Sequence, residues 1–326
     1  MANENKRLQK ARAAKNDEFY TQLSDIEQEC NHYKKYFKGK TIFCNCDDPK
    51  VSNFFKYFAN NFEKLGLKKL ITTCYKNTNP DLFTRYESEK GIAIEYEGDK
   101  NNNRVPDPNE IEVVQLEGDG DFRSPECIEL LKQADIVCTN PPFSLFREFV
   151  DQLMKYKKKF IIIGNKNSVT YKEVFRHIMN NEMWLGYRNI NSDMWFILPD
   201  EAEKWEKIED GKKLKHIMGC WFTNLEVTKR KQELPLYKKY KSNESEFPKY
   251  DNFDAINVDK VSDIPMDYKG IMGVPITFID KYNPEQFKII GSMASTTIDD
   301  ISKGYPFINN ERKYARILIK QKNKKS

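Results

Sequence analysis

The segment Ala134-Asp135-Ile136-Val137-Cys138-Thr139-Asn140-Pro141-Pro142-Phe143 runs from an apolar, strand-like stretch into a stiff polar-aromatic turn. Asn140 offers a side-chain carbonyl, and Pro141 offers a backbone carbonyl in a residue that has no N–H. Phe143 offers a ring face for stacking. Two acceptors beside an aromatic ring suit the exocyclic amine of an adenine. Because Asn-Pro is also a common turn dipeptide, a purely structural turn is the alternative.

This segment lies in a chain where predicted strands and helices alternate. Thr41–Cys46 and Lys69–Cys74 have the composition of short buried strands, and the phenylalanine-rich stretch Val51–Leu65 between them has helical spacing. Leu145–Lys157 is amphipathic, and Phe160–Gly164 after it contains three consecutive isoleucines. A continuous apolar run is typical of a parallel strand covered on both faces. The alternation predicts an α/β fold with a Rossmann-like, doubly wound sheet.

Three further strand-like stretches, Met183–Tyr187, Met194–Leu198 and Cys220–Leu225, follow without long helices between them. They predict an antiparallel hairpin at the edge of the sheet. From about Glu226 the sequence becomes rich in lysine, proline and other polar residues. We therefore expect one domain over residues 1–225 and a smaller C-terminal domain over residues 226–326.

The composition favours an intracellular protein that needs no metal. The 326 residues are 39% hydrophobic, with a mean hydropathy of −0.76 and a net charge of +5. No apolar run approaches the roughly 18 residues of a membrane span, and no signal peptide is recognisable. The seven cysteines include no C-x-x-C pair, and the three histidines lie far apart in sequence. We therefore expect reduced thiols, no metal site and a cytoplasmic location.

Basic residues cluster at both ends of the chain. Five lysine or arginine residues lie in the first fifteen positions against one acid, and four lysines lie in the last seven positions. Such arms can bind the phosphates of a nucleic acid. Solvated tails that aid solubility are an equally good interpretation.

Polar residues also follow two other predicted strands. Asn45-Cys46-Asp47-Asp48-Pro49 follows the first, and Glu117-Gly118-Asp119-Gly120-Asp121-Phe122 follows another. Open α/β sheets bind ligands at the carboxyl ends of their strands. A carboxylate there can hold the amine of a nucleoside or the ammonium group of an amino acid. The second loop lacks the later glutamate of a twelve-residue calcium loop.

Together these motifs resemble an EcoRI-type adenine-specific DNA methyltransferase, within the wider S-adenosylmethionine-dependent amino-methyltransferases. The resemblance runs in order through Asp17–Gln22, then Asn45–Pro49 with Val51–Phe58 behind it, then Gly120–Phe122, and finally the Asn140–Phe143 turn. It covers roughly residues 15–225. In this order the cofactor elements precede the catalytic turn, and the additional domain lies at the C-terminus.

The resemblance implies a site-specific enzyme that transfers a methyl group from S-adenosylmethionine to N6 of a flipped-out adenine in double-stranded DNA. It implies catalytic roles for Asn140, Pro141, Pro142 and Phe143. It also implies cofactor contacts from Phe19, Tyr20 and Thr21, from Asn45, Asp47 and Pro49, and from Asp121, Phe122 and Asn140. A restriction-modification system with a cognate restriction endonuclease, a phage protein and a stand-alone modifier all fit, and a monomer is the default expectation.

Several residues outside these motifs are candidates for DNA contact. Asn165, Lys166 and Asn167 follow the most apolar predicted strand, and an ordinary polar loop is the alternative there. Trp195 and Trp221 are candidates for lining the base pocket, with core packing as the alternative for each. Basic residues that begin the C-terminal region are candidates for phosphate contacts: Lys229, Arg230 and Lys231. Solvated surface charge is the usual role of such residues.

Three other functions remain open on the sequence. An RNA adenine methyltransferase uses the same catalytic turn. A catalytically inactive nucleic-acid-binding protein could keep the fold, although the intact turn argues against it. Methylation of a protein glutamine amide uses a related turn that usually ends in tyrosine, and Phe143 disfavours that interpretation.

Overall fold

The computed structural model describes residues 19–46, 52–74, 91–101, 106, 110–200 and 202–323. The site candidates Asp47 and Pro49 lie outside these ranges, as do the basic N-terminal arm and the last three residues. The chain divides into two compact units. Unit 1 contains the described residues up to Lys166 together with Ser192–Leu225, and unit 2 contains Asn167–Asn191 and the residues from Glu226 onwards.

Helices and strands are numbered in chain order over the described residues. The helices are α1 (Leu23–Cys30), α2 (Lys34–Phe37), α3 (Asn53–Asn60), α4 (Phe62–Leu65), α5 (Pro125–Gln133), α6 (Phe146–Lys155) and α7 (Lys172–Met179). The strands are β1 (Tyr20–Thr21), β2 (Thr41–Asn45), β3 (Lys69–Cys74), β4 (Ile92–Tyr96), β5 (Ile111–Gln115), β6 (Ile136–Thr139), β7 (Lys159–Asn165), β8 (Trp184–Leu185), β9 (Met194–Ile197), β10 (Lys207–Glu209), β11 (Lys212–Ile217), β12 (Gly219–Thr223), β13 (Ile256–Asn257), β14 (Met272–Pro275), β15 (Phe287–Met293), β16 (Phe307–Ile308), β17 (Glu311–Arg312) and β18 (Arg316–Gln321).

The large sheet of unit 1 is mixed, with strand order β5-β4-β3-β2-β6-β7-β12 in this unit. Its centre, β3-β2-β6-β7, is parallel. Strands β4 and β5 extend one side in antiparallel pairing, and β12 pairs antiparallel with β7. The α/β class predicted from the alternating pattern is confirmed, and the parallel centre is consistent with a methyltransferase fold.

Unit 1 contains a second, antiparallel sheet with strand order β1-β9-β11-β10. The predicted edge hairpin is therefore wrong in one part. Strand β12 does pair antiparallel in the large sheet, but β9 pairs with β1 and β11 instead. Strand β11 was not predicted from the sequence, because the lysines of Lys212–Ile217 interrupt the apolar alternation that is typical of a half-buried strand.

Aromatic and β-branched side chains form the core of unit 1. Residues Phe160–Ile163 of β7 are fully buried, and so are Phe146 and Phe149 of α6. The helix expected over Val51–Leu65 is present as α3 and α4. Ser52 is the N-cap of α3. Its hydroxyl oxygen accepts hydrogen bonds from the backbone N–H groups of Phe54 and Phe55, at 3.1 and 3.4 Å.

Unit 2 contains a four-stranded sheet with order β13-β14-β18-β15 and the separate hairpin β16-β17. Residues Ile317–Ile319 of β18 are fully buried. Arg316 precedes them and is also buried. Its guanidinium donates to Asn257 Oδ1 at 3.0 Å and to Asp259 Oδ1 at 3.1 Å. A buried charge needs such partners, so this network fixes the start of β18.

The close packing of β7 against α6 gives a testable consequence. A methyl group on Gly164 would overlap the ring of Phe146, which is itself packed against Phe222 with ring centres 5.0 Å apart. We expect Gly164→Ala to lower the free energy of unfolding by about 1–3 kcal/mol, since overpacking forces a buried side chain out of place. Chemical denaturation measures this change.

A second substitution distinguishes overlap from any other effect of the alanine. Phe146→Leu in the Gly164→Ala background removes the ring edge and should restore part of the lost stability. If the double variant is no more stable than the sum of the two single changes predicts, overlap with Phe146 is not the cause.

Candidate active site

The carboxyl ends of β2 and β6 define the candidate site. Strand β2 leads through α3 and α4 to β3 on one side, whereas β6 leads through α6 to β7 on the other. Ligands of open α/β sheets bind where the connections diverge in this way. Thr139 at the end of β6 donates its hydroxyl hydrogen to the backbone oxygen of Asn45 at the end of β2. The two strand ends are therefore tied together.

Asn140 directly follows β6, and its side-chain amide has a fixed orientation. The amide nitrogen Nδ2 donates to the backbone oxygen of Phe19 at 2.5 Å. The carbonyl oxygen Oδ1 is buried and has no hydrogen-bond partner among the described residues. An unsatisfied buried acceptor is destabilising by about 1–3 kcal/mol, so a ligand donor is its natural partner.

The remainder of the turn is rigid. The backbone oxygen of Pro142 accepts from Leu145 N at 2.9 Å, which closes a 3-10 turn over Phe143–Leu145. Helix α6 starts immediately afterwards at Phe146. Pro141 is buried, while Pro142 and Phe143 are partly exposed. The turn therefore holds the Phe143 ring at the surface of the candidate site.

Phe143 belongs to a cluster of three aromatic rings. Its centre lies 6.1 Å from the Phe19 ring and 6.3 Å from the Phe196 ring, and the Phe19 and Phe196 rings are also 6.3 Å apart. Phe196 lies on β9 directly opposite Thr21 of β1. The second sheet thus contributes a wall to the site. Sequence reasoning missed Phe196, although it stands in the recognised apolar stretch Met194–Leu198.

Further buried polar atoms at this end of unit 1 have no partner among the described residues, among them Thr21 Oγ1 and Asn45 Oδ1. The backbone at both positions is held firmly. Asn53 Nδ2 donates to the Thr21 oxygen at 2.7 Å, and Thr139 holds the Asn45 oxygen. Both residues are sequence-based candidates for cofactor contact. The site therefore presents unpaired polar atoms from separate elements, as a preformed ligand site does.

Comparison with known proteins identifies the family. The family model of the adenine-specific methyltransferase EcoRI matches residues 7–322. The chain is 51% identical over 323 residues to the Type II methyltransferase M.EcoRI of Escherichia coli, covering 98% of this chain and 97% of that protein. The chain belongs to the EcoRI family of adenine-specific methyltransferases. This membership confirms the prediction of an adenine-specific DNA methyltransferase.

Two mycoplasma proteins extend the comparison. The Type II methyltransferase M.MgeORF184P of Mycoplasma genitalium is 39% identical, with 96% of this chain and 98% of that protein covered. M.MpnI of Mycoplasma pneumoniae is 36% identical, with 96% and 97% covered. No solved structure matches the chain. The similarity spans both units, so the family assignment includes unit 2 as well as the candidate site.

In this methyltransferase, Asp121 and Phe122, which the sequence predicts to contact the cofactor, already make contacts within the protein. The Phe122 ring is buried and meets the Phe149 ring edge-on at 5.1 Å. Both oxygens of Asp121 accept from the Arg123 guanidinium, at 2.9 and 2.7 Å, which raises the pKa of Arg123. Arg123 also pairs with Glu148 at 2.8 Å. A ligand amine at Asp121 would have to share this carboxylate with Arg123.

Lys215 is a cation near the aromatic cluster that sequence reasoning did not select. It lies on β11 directly opposite Phe196, and its Nζ is 5.7 Å from the centre of the Phe19 ring. The ammonium group and the ring therefore form a cation–π contact. Only the pairing of β11 with β9 places this lysine here, so no local motif could have identified it.

Two DNA-contact candidates of unit 1, Asn165 on β7 and Trp195 on β9, lie on strands that border the site, and Lys166 directly follows β7. Asn165 is the last residue of β7, and Lys166 N donates to the Met218 oxygen at 2.7 Å. Trp195 stacks against His216 with ring centres 5.5 Å apart, and Lys207 Nζ lies 4.4 Å from its ring centre. Trp221, by contrast, is fully buried and packs edge-on against Phe54. Core packing is therefore its role.

The DNA-contact candidates of unit 2 differ in how many contacts their side chains already make within that unit. Asn167 accepts from Thr170 Oγ1 at 2.8 Å. Lys229 pairs with the buried Asp280 at 2.8 Å, and Arg230 stacks on Trp184 at 4.1 Å, where burial lowers the pKa of Arg230. Lys231 pairs with Glu226, and its side chain is 65% exposed. Of the three basic residues, Lys231 is the one that most resembles a surface phosphate contact.

Within the described residues no three His, Cys, Asp or Glu side chains come together as a metal-ion site. No helix in the same part of the chain is long and apolar enough to cross a membrane.

Phe196 provides a test of the aromatic cluster. Phe196→Leu keeps the apolar character but removes the ring that Phe19 and Phe143 share, so the two remaining rings lose their fixed arrangement. We expect kcat for methyl transfer to fall about tenfold or more, because small misplacements in a positioned site are costly. Methyl incorporation into DNA under saturating substrates measures kcat.

The matched control is Phe160→Leu. Phe160 is equally buried but lies near the amino end of β7, opposite the candidate site in the parallel sheet. This variant should lose stability to a similar extent while keeping kcat per folded molecule. Equal kcat losses in the two variants would contradict a role for the cluster in positioning.

Proposed function

We propose that this methyltransferase transfers a methyl group from S-adenosylmethionine to the exocyclic amine of an adenine flipped out of double-stranded DNA. The main support is the buried Oδ1 of Asn140, which has no hydrogen-bond partner among the described residues. Its orientation is fixed by the hydrogen bond from Asn140 Nδ2 to the Phe19 backbone oxygen. An acceptor of fixed direction beside an aromatic wall suits a flat ring that carries an amine.

The residues around the site fit a cofactor with polar groups at both ends. Thr21 Oγ1, which can donate or accept, and Asn45 Oδ1, which accepts, are buried and lack partners among the described residues. We assign the cofactor contacts to Phe19, Tyr20, Thr21 and Asn45, with Asp121 and Phe122 at the adenine end and Asp47 and Pro49 in the loop after β2. S-adenosylmethionine supplies an electrophilic methyl group on a positively charged sulfur.

The chemical problem is the weak nucleophilicity of the adenine amine, whose lone pair is delocalised into the ring. The Asn140 Oδ1 and the Pro141 backbone oxygen can each accept one hydrogen of the amine. Two acceptors on one side draw the hydrogens out of the ring plane, and the lone pair then localises. No strong base is required before transfer, so the residues act by position and electrostatics.

Phe143 completes the pocket by stacking on the flipped base. Its ring is partly exposed and is supported from the side by Phe19 and Phe196. Extrusion of a base from duplex DNA costs a few kcal/mol, and stacking and hydrogen bonding in the pocket offset this cost. Pro142 keeps the turn stiff, so Phe143 loses little entropy when the base binds.

We assign target recognition to the region 226–326 and phosphate contacts to Lys231 and the other basic residues there. Lys229 and Arg230 can reach DNA only through the faces that Asp280 and Trp184 leave free. Trp195 and Asn165–Asn167 would approach the DNA near the extruded base. We also propose that the enzyme acts as a monomer and that a cognate restriction endonuclease belongs to the same system; the Type II designation of its relatives supports only the restriction-modification setting.

Asn140→Ala tests the catalytic role. Loss of the acceptor should lower kcat about 100-fold or more, the effect typical of removing one preorganised polar group from an active site. The lost bond to Phe19 costs only about 1 kcal/mol of stability, so the variant should fold, and its loss of cofactor affinity should be much smaller than its loss of kcat. Transfer of labelled methyl groups to DNA measures kcat, and calorimetric titration measures cofactor affinity.

Asn61→Ala is the matched control for that experiment. Asn61 also donates one side-chain hydrogen bond, to the Tyr57 oxygen at 2.8 Å, but it lies at the end of α3. Its variant should methylate DNA at the normal rate. Activity of Asn140→Ala above a tenth of the wild-type value would exclude the proposed role of Oδ1.

Methylation-aware single-molecule sequencing tests the function as a whole. DNA from cells that express the protein should contain modified adenines in one short motif, and DNA from cells that express the Asn140→Ala variant should not. If neither sample contains modified adenine, the DNA assignment fails and RNA becomes the next substrate to assay.

A further inference from the structure

Tyr314 in unit 2 is an exposed aromatic residue with no role in the proposed chemistry. It is 88% exposed, the most of any large hydrophobic side chain among the described residues. A large ring that is almost entirely in water makes no contribution to the core. Such a side chain is either incidental or available to a partner.

The backbone that carries Tyr314 is held firmly. Arg316 Nη1 donates to the backbone oxygens of Tyr314 and Ala315, at 3.2 and 3.4 Å. The same guanidinium is buried and fixed by Asn257 and Asp259. An exposed ring on an anchored backbone loses little conformational entropy on binding, since only its two side-chain torsions remain to be ordered.

Basic groups lie directly before this tyrosine. The Arg312 guanidinium lies 3.4 Å from the centre of the Tyr305 ring, which fixes its plane while Arg312 itself stays exposed. Lys313 pairs with Glu311 at 2.7 Å, and its backbone N–H donates to the Pro306 oxygen at 2.8 Å. We call Tyr305, Arg312, Lys313 and Tyr314 the aromatic-basic strip. Lys313 is thus neutralised by Glu311, whereas no salt bridge holds Arg312 among the described residues, so Arg312 is the cation of the strip that can pair with an incoming anion.

We propose that the aromatic-basic strip is a DNA-contact surface, in which Tyr314 inserts at a base step that binding partly unstacks and stacks on the exposed base, while Arg312 binds a neighbouring phosphate. The inference rests on the proposed function, because DNA is the partner that the enzyme must bind. An exposed aromatic ring next to a cation matches a base next to its phosphate, and aromatic or apolar side chains can enter partly unstacked base steps of duplex DNA. A stacked arginine keeps the edge of its guanidinium free, and that edge binds phosphate oxygens in pairs.

The strip has two components with different signatures in a binding experiment. Stacking is insensitive to salt, whereas each phosphate contact adds about one unit to the slope of log affinity against log salt concentration. Tyr314→Ala should therefore weaken DNA binding about tenfold with an unchanged slope. Arg312→Gln should weaken binding and reduce the slope by about one.

Two tyrosine variants make the test specific. Tyr314→Phe keeps the ring and should bind within about twofold of wild type. Tyr237→Ala removes another tyrosine of unit 2 that is 81% exposed, and it should also bind within about twofold. Neither position contributes to the core, so all variants should fold, which circular dichroism and thermal unfolding would check.

The probe is a fluorescent duplex that carries the motif methylated by the wild-type protein, and anisotropy reports its binding. Wild-type binding by Tyr314→Ala overturns the proposal. Equal losses for Tyr314→Ala and Tyr314→Phe overturn stacking, because the hydroxyl would then be the active group. Equal losses for Tyr314→Ala and Tyr237→Ala overturn it too, since any exposed tyrosine would then have the same effect.

Methyl transfer by the wild-type protein is measured in the same series. If the wild-type protein methylates the duplex and Tyr314→Ala binds and methylates it equally well, the proposal about the strip fails and the proposed function stands. If the wild-type protein methylates no DNA, the proposed function itself fails. A direct readout is photo-crosslinking from 5-iodouracil placed through the duplex, which should join Tyr314 in the wild-type protein and leave Tyr237 unmodified.

Discussion

The hydrogen bond from the Asn140 amide to the Phe19 backbone oxygen is the interaction on which the site depends. Asn140 follows β6 of the large sheet, whereas Phe19 precedes β1 of the second sheet, so one bond joins the two sheets of unit 1. It also decides which face of the amide is available. If the amide were rotated by half a turn, its N–H would face the pocket and would repel an amine. The bond to Phe19 leaves the acceptor there instead.

The site keeps this acceptor at some expense of stability. Thr21 Oγ1, Asn45 Oδ1 and Asn140 Oδ1 are buried without partners among the described residues, and each unsatisfied atom is destabilising by about 1–3 kcal/mol. The backbone around them is fully engaged, through Asn53 to Thr21 and through Thr139 to Asn45. Rigid backbone and unsatisfied side chains together are what a preorganised ligand site requires. Binding of ligand would satisfy these atoms without a large rearrangement.

The sequence was sufficient for the parallel centre of the sheet and for the Asn-Pro-Pro-Phe turn after β6, because both depend on local patterns. The isoleucines of β7 and the Asn-Pro-Pro-Phe turn after β6 are visible in short windows. The second sheet was not predicted, because β11 is lysine-rich and pairs with β9 and β1 from distant parts of the chain. Phe196 and Lys215 could not be selected for the same reason. Their place beside Phe19 follows from strand register, which no single segment specifies.

The role of a basic side chain also depends on its surroundings in the fold. Arg230 and Arg312 both stack on an aromatic ring, Trp184 at 4.1 Å and Tyr305 at 3.4 Å, so their local chemistry is alike. Arg230 also donates to Asn181 at 2.8 Å, and burial lowers its pKa, so its charge is largely used within unit 2. Arg312 is exposed and lies beside a protruding tyrosine. A count of basic residues treats the two as equal, but desolvation separates them: Arg230 is partly buried and engaged within unit 2, whereas the exposed Arg312 can exchange water for phosphate at little cost.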